Sequence, residues 1–384
     1  MDNGVLKQIL HVAGALLTAL FICTSLVQAK EQDIPSIPGL TYDHSMELVY
    51  AEEFTVDYFE GDYALITIGE KDRFLVVPET GKAPENLDET ITVLQKPMKN
   101  IYLVATSAMD LFRAIGGIDA IRLSGTKEEG WYIKEAKEAM ANGDMLYAGK
   151  YNAPDYELIL NEGCSLAVES TMIYHNPEVK EKLEQFGIPV LVERSSYESH
   201  PLGRTEWMKL YGVLLGKEEE AKKAFDEQAE KLSAISEQKA TGKKVAFFYI
   251  NSVGTANVRK SNDYVSNMIE LAGGIYVPET PEADDNALST MNMQMEEFYA
   301  RAKDADYIIY NSTIDGELTS MSELLKKSSL LEDFKAVKEG NVWCTEKNLF
   351  QETTGLGTMI ADIHEMLIQG EDGADKFTYM YRLE

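Results

Sequence analysis

Polar and aromatic side chains that can hold a small molecule follow several short apolar runs of the chain. Such runs are typical of buried parallel strands, and in α/β domains ligands bind beyond the carboxyl ends of these strands. We therefore expect ligand contacts from residues in the loops that follow the runs. They are Thr106, Ser107, Lys150, Tyr151, Ser170, Thr171, Met172, Arg194, Tyr197, His200, Ser252, Arg259, Asn311 and Phe350.

Two kinds of side chain in this set indicate the chemistry of the ligand. Tyr151 and Tyr197 can stack on flat or macrocyclic groups while keeping a hydroxyl donor. Arg194 and Arg259 can hold carboxylates through two parallel hydrogen bonds. All four can also make only local hydrogen bonds within their loops, and the sequence leaves both interpretations open.

Structural roles also fit three other members of the set. His200 precedes Pro201, a pair that is typical of a turn. Thr106 and Ser107 stand before a helical pattern, where hydroxyl side chains cap the first backbone N–H groups. For these two we expect capping, although one hydroxyl can serve both purposes.

Metal ligation has little support in the sequence. The chain has five histidines and no histidine-rich tract, whereas zinc and manganese sites need several close ligands. His175, His200, Glu169 and Glu198 form the one set that such a site could use. We expect no resident metal or cofactor, and a free zinc or manganese site is the alternative.

Common sequence signatures of catalysis are absent. The chain contains no G-x-S-x-G elbow, no G-x-x-x-x-G-K-[ST] loop and no H-E-x-x-H helix. The pairs Gly116-Gly117 and Gly273-Gly274 terminate helical patterns and do not form a phosphate loop. The chain is therefore predicted not to be an enzyme.

The charge of the chain argues against one class of partner. It has 64 Asp and Glu against 36 Lys and Arg, which gives a formal net charge of −28. A surface this acidic repels phosphate backbones, so no nucleic acid is expected as a partner.

Two cysteines lie in apolar, strand-like contexts, Cys164 and Cys344. Buried free thiols are the usual state of such residues. A disulfide between them stays open, because sequence does not give the distance between their Cα atoms.

The chain begins with an export segment. The apolar run 12–27 is short for a membrane-spanning helix, which needs about 20 residues, and it suits the core of a signal peptide. Cleavage can follow Ala29, or Cys23 can be lipidated after the lipobox-like residues 20–22. An uncleaved anchor is the third outcome, and all three predict an extracytoplasmic, membrane-associated or periplasmic protein.

Alternating elements then predict an α/β fold with mostly parallel sheets. Strands and helices alternate in residues 95–204 and again in 241–384, which indicates right-handed βαβ units. Residues 205–240 are helical, and 218–237 would extend about 30 Å at 1.5 Å per residue. The predicted organisation lists 1–29 as signal peptide or anchor, 30–94 as tether and N-terminal strands, 95–204 as the N-terminal lobe, 205–240 as interlobe helices and 241–384 as the C-terminal lobe.

Several stretches resemble the class III solute-binding proteins of ABC importers, which carry ferric siderophores, haem or vitamin B12. They are the strand NIYLVA after Lys96-Pro97, PDYELIL at 154–160, KEKLEQFGIPVLVE at 180–193, LLGKEEEAKKAFDEQAEKL at 214–232, DYVSNMIELAGGIYV at 263–277 and FKAVKEGNVW at 334–343. The resemblance covers about residues 95–370. The polar stretch 194–207 departs from the pattern and suggests a subfamily with its own ligand.

The resemblance implies two Rossmann-like lobes joined by a single long helix, with the ligand held between them. It implies that the ligand is a metal chelate or tetrapyrrole, containing iron or cobalt, and that the partners are ABC permease subunits. Acidic residues on each lobe would meet permease arginines, and Glu178, Glu181, Glu317 and Glu323 fit that position. The protein is expected to be a monomer, with a chelatase-like two-lobe enzyme as an alternative.

Overall fold

The computed structural model describes residues 35–236, 240–280, 289–369 and 375–384. The strands are β1 Tyr42–Ser45, β2 Phe54–Phe59, β3 Tyr63–Ile68, β4 Asp72–Val77, β5 Ile91–Gln95, β6 Ile101–Leu103, β7 Ile121–Ser124, β8 Leu146–Tyr147, β9 Gly149–Lys150, β10 Ala153–Pro154, β11 Ala167–Ser170, β12 Val190–Glu193, β13 Lys244–Ile250, β14 Ala256–Arg259, β15 Ile275–Val277, β16 Thr290–Met293, β17 Tyr307–Tyr310, β18 Val342–Thr345 and β19 Met380–Arg382.

Helices connect most of these strands. They are α1 Thr106–Ala114, α2 Lys134–Ala141, α3 Tyr156–Asn161, α4 Pro177–Gln185, α5 Pro201–Glu206, α6 Met208–Leu215, α7 Glu218–Ser236, α8 Tyr264–Leu271, α9 Met295–Ala302, α10 Ser312–Asp315, α11 Met321–Lys327, α12 Lys335–Lys338 and α13 Leu356–Gln369. The predicted export segment, with its lipidation candidate Cys23, lies outside the described residues.

The first sheet is the N-terminal sheet, with strand order β1-β2-β3-β4-β5. Its pairs are antiparallel except β4–β5. At the β2–β3 turn, Gly61 and Asp62 have φ values of 83° and 65°, in the left-handed region that such hairpin turns favour. Within the stretch 30–94, predicted as tether and N-terminal strands, the first strand is β1, which pairs with β2.

Five parallel strands form the sheet of the first lobe, in the order β12-β11-β6-β7-β8. Because parallel strands need a crossover connection, helices α1 to α4 lie between them in sequence. The carboxyl ends of β6, β7, β8 and β11 therefore meet at one edge of this sheet.

The sheet of the second lobe has the order β16-β14-β13-β17-β18-β19, with β15 also paired to β13. Its centre is parallel, through β15, β13, β17 and β18, while β14, β16 and β19 run antiparallel to their neighbours. The prediction of an α/β fold with two lobes and mostly parallel sheets is confirmed.

Helix α7 contacts α5 and α6 and also α13, which follows the last parallel strand of the second lobe. Helix α7 is one of several described elements that connect the lobes. Helix α5 contacts α8 and α13, and the turn Thr353–Gly355 contacts α1. A single connecting helix is therefore not confirmed. One apolar core, which includes Ile66, Trp207, Phe225, Phe247 and Met359, is continuous through these contacts.

Helix α1 begins earlier than predicted. Ala105 occupies its N-cap position, and no side chain caps its first N–H groups. The predicted capping roles of Thr106 and Ser107 are therefore wrong. Instead, the Ser107 hydroxyl donates to Glu193 Oε2 over 3.1 Å.

Candidate functional site

A cavity of about 450 Å³ opens at the strand-end edge of the first lobe. We call it the first-lobe cavity, and its lining residues are Val104, Thr106, Gly125, Thr126, Lys127, Glu129, Gly130, Tyr147, Lys150, Tyr151 and Ser170. These residues follow or end strands β6, β7, β8, β9 and β11. The cavity therefore lies where parallel α/β sheets usually hold their ligands.

The β9–β10 hairpin carries Lys150 and Tyr151 into this cavity. Gly149 has a φ of 89°, and a Cβ at this position would stand 2.2 Å from the carbonyl oxygen of Ala153. Only glycine fits such a close backbone approach. The Tyr102 hydroxyl donates to the Gly149 carbonyl over 2.8 Å, which fixes the hairpin on the buried sheet.

The loop after β7 forms the second wall. The Ser124 hydroxyl donates to the carbonyl of Thr126 over 2.6 Å and accepts from the Trp131 indole N–H over 3.1 Å. Ser124 and Trp131 are fully buried. This small network fixes both ends of the segment that presents Thr126, Lys127 and Glu129.

The second lobe reaches the rim of the cavity through Gln351. Its side-chain amide donates to the Gly130 carbonyl over 2.8 Å, and its amide oxygen accepts from the Tyr132 backbone N–H over 2.8 Å. Since Gly130 lines the cavity, a displacement of the second lobe would move one wall of it.

A buried carboxylate fastens the neighbouring turn of the second lobe. Asp110 accepts from the backbone N–H and the hydroxyl of Thr354 over 2.7 and 2.6 Å. Arg113 lies 2.6 Å from the same carboxylate, and the Thr353 hydroxyl donates to the Ser107 carbonyl. The lobes thus also meet through polar contacts of α1, the helix that begins at the lining residue Thr106.

Glu169 is a buried carboxyl with no hydrogen-bond partner at either oxygen, and it precedes the lining residue Ser170 on β11. On β11, Glu169 pairs with Val192 of β12, and Val192 belongs to the apolar core of the first lobe. Burial raises the pKa of Glu169 to about 8. The side chain is therefore largely protonated at neutral pH.

The cavity brings together four of the residues selected from sequence, namely Thr106, Lys150, Tyr151 and Ser170. Sequence reasoning missed Thr126, Lys127, Glu129 and Tyr147. The signal for three of them was present. Gly125-Thr126-Lys127 directly follows Ile121–Ser124, one of the short strands in the alternating pattern of residues 95–204, and Glu129 continues that loop. Tyr147 ends a strand of two residues, too short to detect from a pattern.

Both arginines selected from sequence are engaged in ion pairs. Arg194 Nε lies 2.7 Å from Glu53 Oε2, and its guanidinium lies over the Tyr197 ring. Arg259 makes two hydrogen bonds of 2.7 and 2.5 Å to Asp263. Neither Arg194, Tyr197 nor Arg259 lines the first-lobe cavity.

Two further members of the set cap helices. His200 Nδ1 accepts from the Leu202 N–H at the start of α5, and its ring stacks on Tyr50. Burial lowers the pKa of His200, against the opposing effect of Glu206. Asn311 is buried, and its side-chain oxygen accepts from the backbone N–H and hydroxyl of Thr313.

The remaining ligand candidates lie apart from the lining. Thr171 and the exposed Met172 begin the turn after β11, and Ser252 is exposed between β13 and β14. Phe350 packs against the shared apolar core. Their contact with a ligand stays a prediction.

The four glutamates expected to meet a permease lie after strands of the two lobes. Glu178 and Glu181 are exposed on α4, and Glu178 accepts from the Asn176 side chain. Glu317 pairs with Lys347 at 2.8 Å, whereas Glu323 accepts from the backbone N–H and hydroxyl of Thr319.

No metal site is assembled by the described residues, in which no group of three or more His, Cys, Asp or Glu side chains could hold an ion. In the set considered from sequence, Glu198 instead accepts from Trp207 and two backbone N–H groups, and His175 is exposed.

Cys164 and Cys344 are free thiols, so the disulfide considered between them does not form. Burial raises the pKa of both thiols to about 11.

Over the described ranges, which begin at residue 35, none of the helices has the length and apolar character needed to cross a bilayer.

Comparison with known proteins agrees with this architecture. A family model described as periplasmic binding protein matches residues 104–349. An uncharacterized lipoprotein of Methanocaldococcus jannaschii is 26% identical over 352 residues, which is 85% of this chain and 80% of the relative.

Two solved structures are similar to the chain. A periplasmic haem-binding protein of Pseudomonas aeruginosa gives a TM-score of 0.58 at 16% identity, over 75% of this chain and 98% of that one. An ABC-type Fe³⁺-hydroxamate transport protein of Saccharomonospora viridis gives 0.53 at 17% identity, over 70% and 92%. At these identities the two structures show a shared fold.

Proposed function

We propose that this chain, which belongs to the periplasmic binding protein family, captures a small ligand outside the cytoplasm and delivers it to an ABC permease. The ligand is a metal chelate or tetrapyrrole, such as a ferric siderophore, haem or cobalamin. The solved proteins of similar fold bind haem or belong to Fe³⁺-hydroxamate transport, which supports this class of ligand.

The first-lobe cavity carries the proposal. Its volume of about 450 Å³ falls within the roughly 300–1,000 Å³ of typical small-molecule sites. Its walls combine two tyrosine rings with lysine and hydroxyl side chains, a lining suited to a flat ligand with polar edges. Gln351 of the second lobe bonds to its rim, so the ligand would be held next to the junction of the lobes.

Delivery requires a surface that a permease can recognise. Glu178 and Glu181 follow β11, whose last residue lines the cavity, and both are exposed. Glu317 and Glu323 follow β17 in the second lobe. Carboxylates on both lobes would meet arginines of the permease through complementary charge, which sets orientation and association rate.

The N-terminal segment would direct the protein out of the cytoplasm, and it would also keep the protein at the membrane unless cleavage follows Ala29. Lipidation at Cys23, cleavage after Ala29 and an uncleaved anchor all serve capture outside the cytoplasm. The related lipoprotein of M. jannaschii supports attachment through lipid. We propose that the protein acts as a monomer with its importer.

Replacing Tyr151 by Ala tests the assignment of the cavity. Haemin, ferrichrome and cyanocobalamin would be titrated into the wild type and followed by calorimetry, and we expect at least one to bind. Tyr151→Ala should weaken that binding by about fivefold or more, since removing a stacked aromatic contact costs on the order of 1 kcal/mol or more.

Tyr174→Ala is the matched control, because Tyr174 is an exposed tyrosine of the same lobe that does not line the cavity. It should leave the affinity within about twofold. Equal affinities of wild type and Tyr151→Ala, or no binding of any of the three compounds, would contradict the proposal.

A further inference from the structure

We infer that the ligand of the first-lobe cavity is an anion, held by Lys127 and Lys150 beside the rings of Tyr147 and Tyr151. The inference rests on the proposed function and adds the charge of the ligand to it. Its basis is the placement of two lysines on separate walls of one cavity in a chain whose net charge is −28.

The two lysines come from different elements. Lys127 lies in the loop after β7, which Ser124 and Trp131 hold in place, and Lys150 lies on β9, which Gly149 and Tyr102 hold in place. Both side chains are exposed to solvent. They are therefore fixed at their backbones and free to reach a ligand with their ammonium groups.

Neither lysine is neutralised by a carboxylate within the described ranges. Lys127 Nζ lies 5.6 Å from the centroid of the Tyr147 ring, a weak cation–π contact that leaves its charge available. Some other described lysines do pair, as Lys347 does with Glu317 and Lys376 with Glu346, and others do not. Lys127 and Lys150 are distinguished by facing one cavity together, and this placement favours a negatively charged occupant.

One acidic side chain, Glu129, lines the cavity, so the lysines leave an excess of positive charge there. Glu169 lies behind the wall, where burial favours its neutral form, so it adds little negative charge at neutral pH. The cavity thus differs in sign from the chain as a whole. Among the described lining residues, a cationic ligand would face one carboxylate and two ammonium groups.

Two matched pairs of probes test the sign of the charge. In the first pair, the ferric complex of a tris-catechol chelator is anionic, while ferrioxamine B is a cationic ferric chelate of similar size. In the second pair, haemin has free carboxylates and haemin dimethyl ester does not. In whichever pair binds, we expect the anionic member to bind at least about tenfold more tightly at low salt, with a smaller preference at high salt.

The variant Lys127→Met/Lys150→Met should remove most of this preference and leave the binding of the uncharged or cationic member within about twofold. Lys134→Met/Lys137→Met is the control, since it makes the same change in net charge on α2, away from the cavity lining, and should preserve the preference. Thermal melts of the wild type and both double variants would verify that each variant is folded.

The outcomes separate the two proposals. If a cationic or neutral probe binds as tightly as its anionic partner, the inference is overturned and the proposed function stands. A preference for anions that survives in Lys127→Met/Lys150→Met overturns the assignment of the two lysines. If only cyanocobalamin, an uncharged ligand, binds to the wild type, the inference is overturned and the proposed function stands. If neither the four probes nor cyanocobalamin binds to the wild type, both proposals fall.

Discussion

Replacing Glu206 by Gln is expected to lower the free energy of unfolding by about 3–5 kcal/mol, the range for breaking a buried ion pair. Glu206 is fully buried. Its carboxylate accepts from the backbone N–H groups of Val49, Tyr50 and Ala51 over 2.8–3.1 Å and from Lys209 Nζ over 2.6 Å. Glutamine would leave Lys209 without its counter-charge. Its side-chain NH₂ group would also face N–H donors that the carboxylate oxygens now accept from.

The expected loss of stability is large because a second buried carboxylate, that of Glu198, binds the adjoining part of the same backbone segment. Glu198 accepts from the next two backbone N–H groups, of Glu52 and Glu53, and from the Trp207 indole N–H. The two glutamates bind five successive N–H groups of the segment that leads into β2. They thereby hold the N-terminal sheet against α5, which also contacts α8 and α13 of the second lobe.

Urea unfolding followed by circular dichroism measures the change. Asp226→Asn is the control, because it breaks an exposed pair with Lys222, and such pairs contribute about 0.5 kcal/mol. If Glu206→Gln lowers the free energy of unfolding by less than about 1 kcal/mol, the hydrogen bonds to residues 49–53 do not hold the N-terminal sheet in place.

The second large effect depends on pH. Burial raises the pKa of Glu169 from its usual 4.5 to about 8 in the folded protein. Between these values the folded state binds more protons than the unfolded state, so stability decreases as the pH rises. One such group contributes a slope of at most about 1.4 kcal/mol per pH unit.

Glu169→Gln should remove this slope, because glutamine is neutral throughout. At pH 4 the variant and the wild type should have similar stability, whereas at pH 8 the variant should be the more stable by a few kcal/mol. Urea midpoints at several pH values measure the difference, in which the contributions of other titrating groups cancel. A difference that stays constant from pH 4 to pH 8 would contradict the assignment of a buried, unpartnered carboxyl.

Much of the fold could be predicted because its signals are local. The sequence pattern predicts a strand over Tyr307–Tyr310 and a helix over Met295–Ala302, and both have these bounds in the structure. A buried parallel strand is a continuous apolar run, and a helix repeats its apolar face. Helix α5 was missed, although Pro201 at its first turn is a known start signal. The polar composition of residues 194–207 obscured it.

The site was harder to predict, since it depends on partners that are distant in sequence. The role of Arg194 follows from Glu53, which precedes it by 141 positions. Arg259 had a local signal, because Asp263 lies four residues further on and pairs with it. The rule that ligands bind at strand ends indicated the edge of the first lobe where the cavity lies, but it did not tell which loop residues face the cavity.

The central claim is that the first-lobe cavity holds a metal chelate or tetrapyrrole. Native mass spectrometry of the protein purified from its own host, combined with its absorbance spectrum and metal content, tests this directly. We predict a non-covalent adduct with iron or cobalt that is present in the wild type and reduced in Tyr151→Ala. Wild-type protein without a chelate, or with only bare zinc or manganese ions, would contradict the claim.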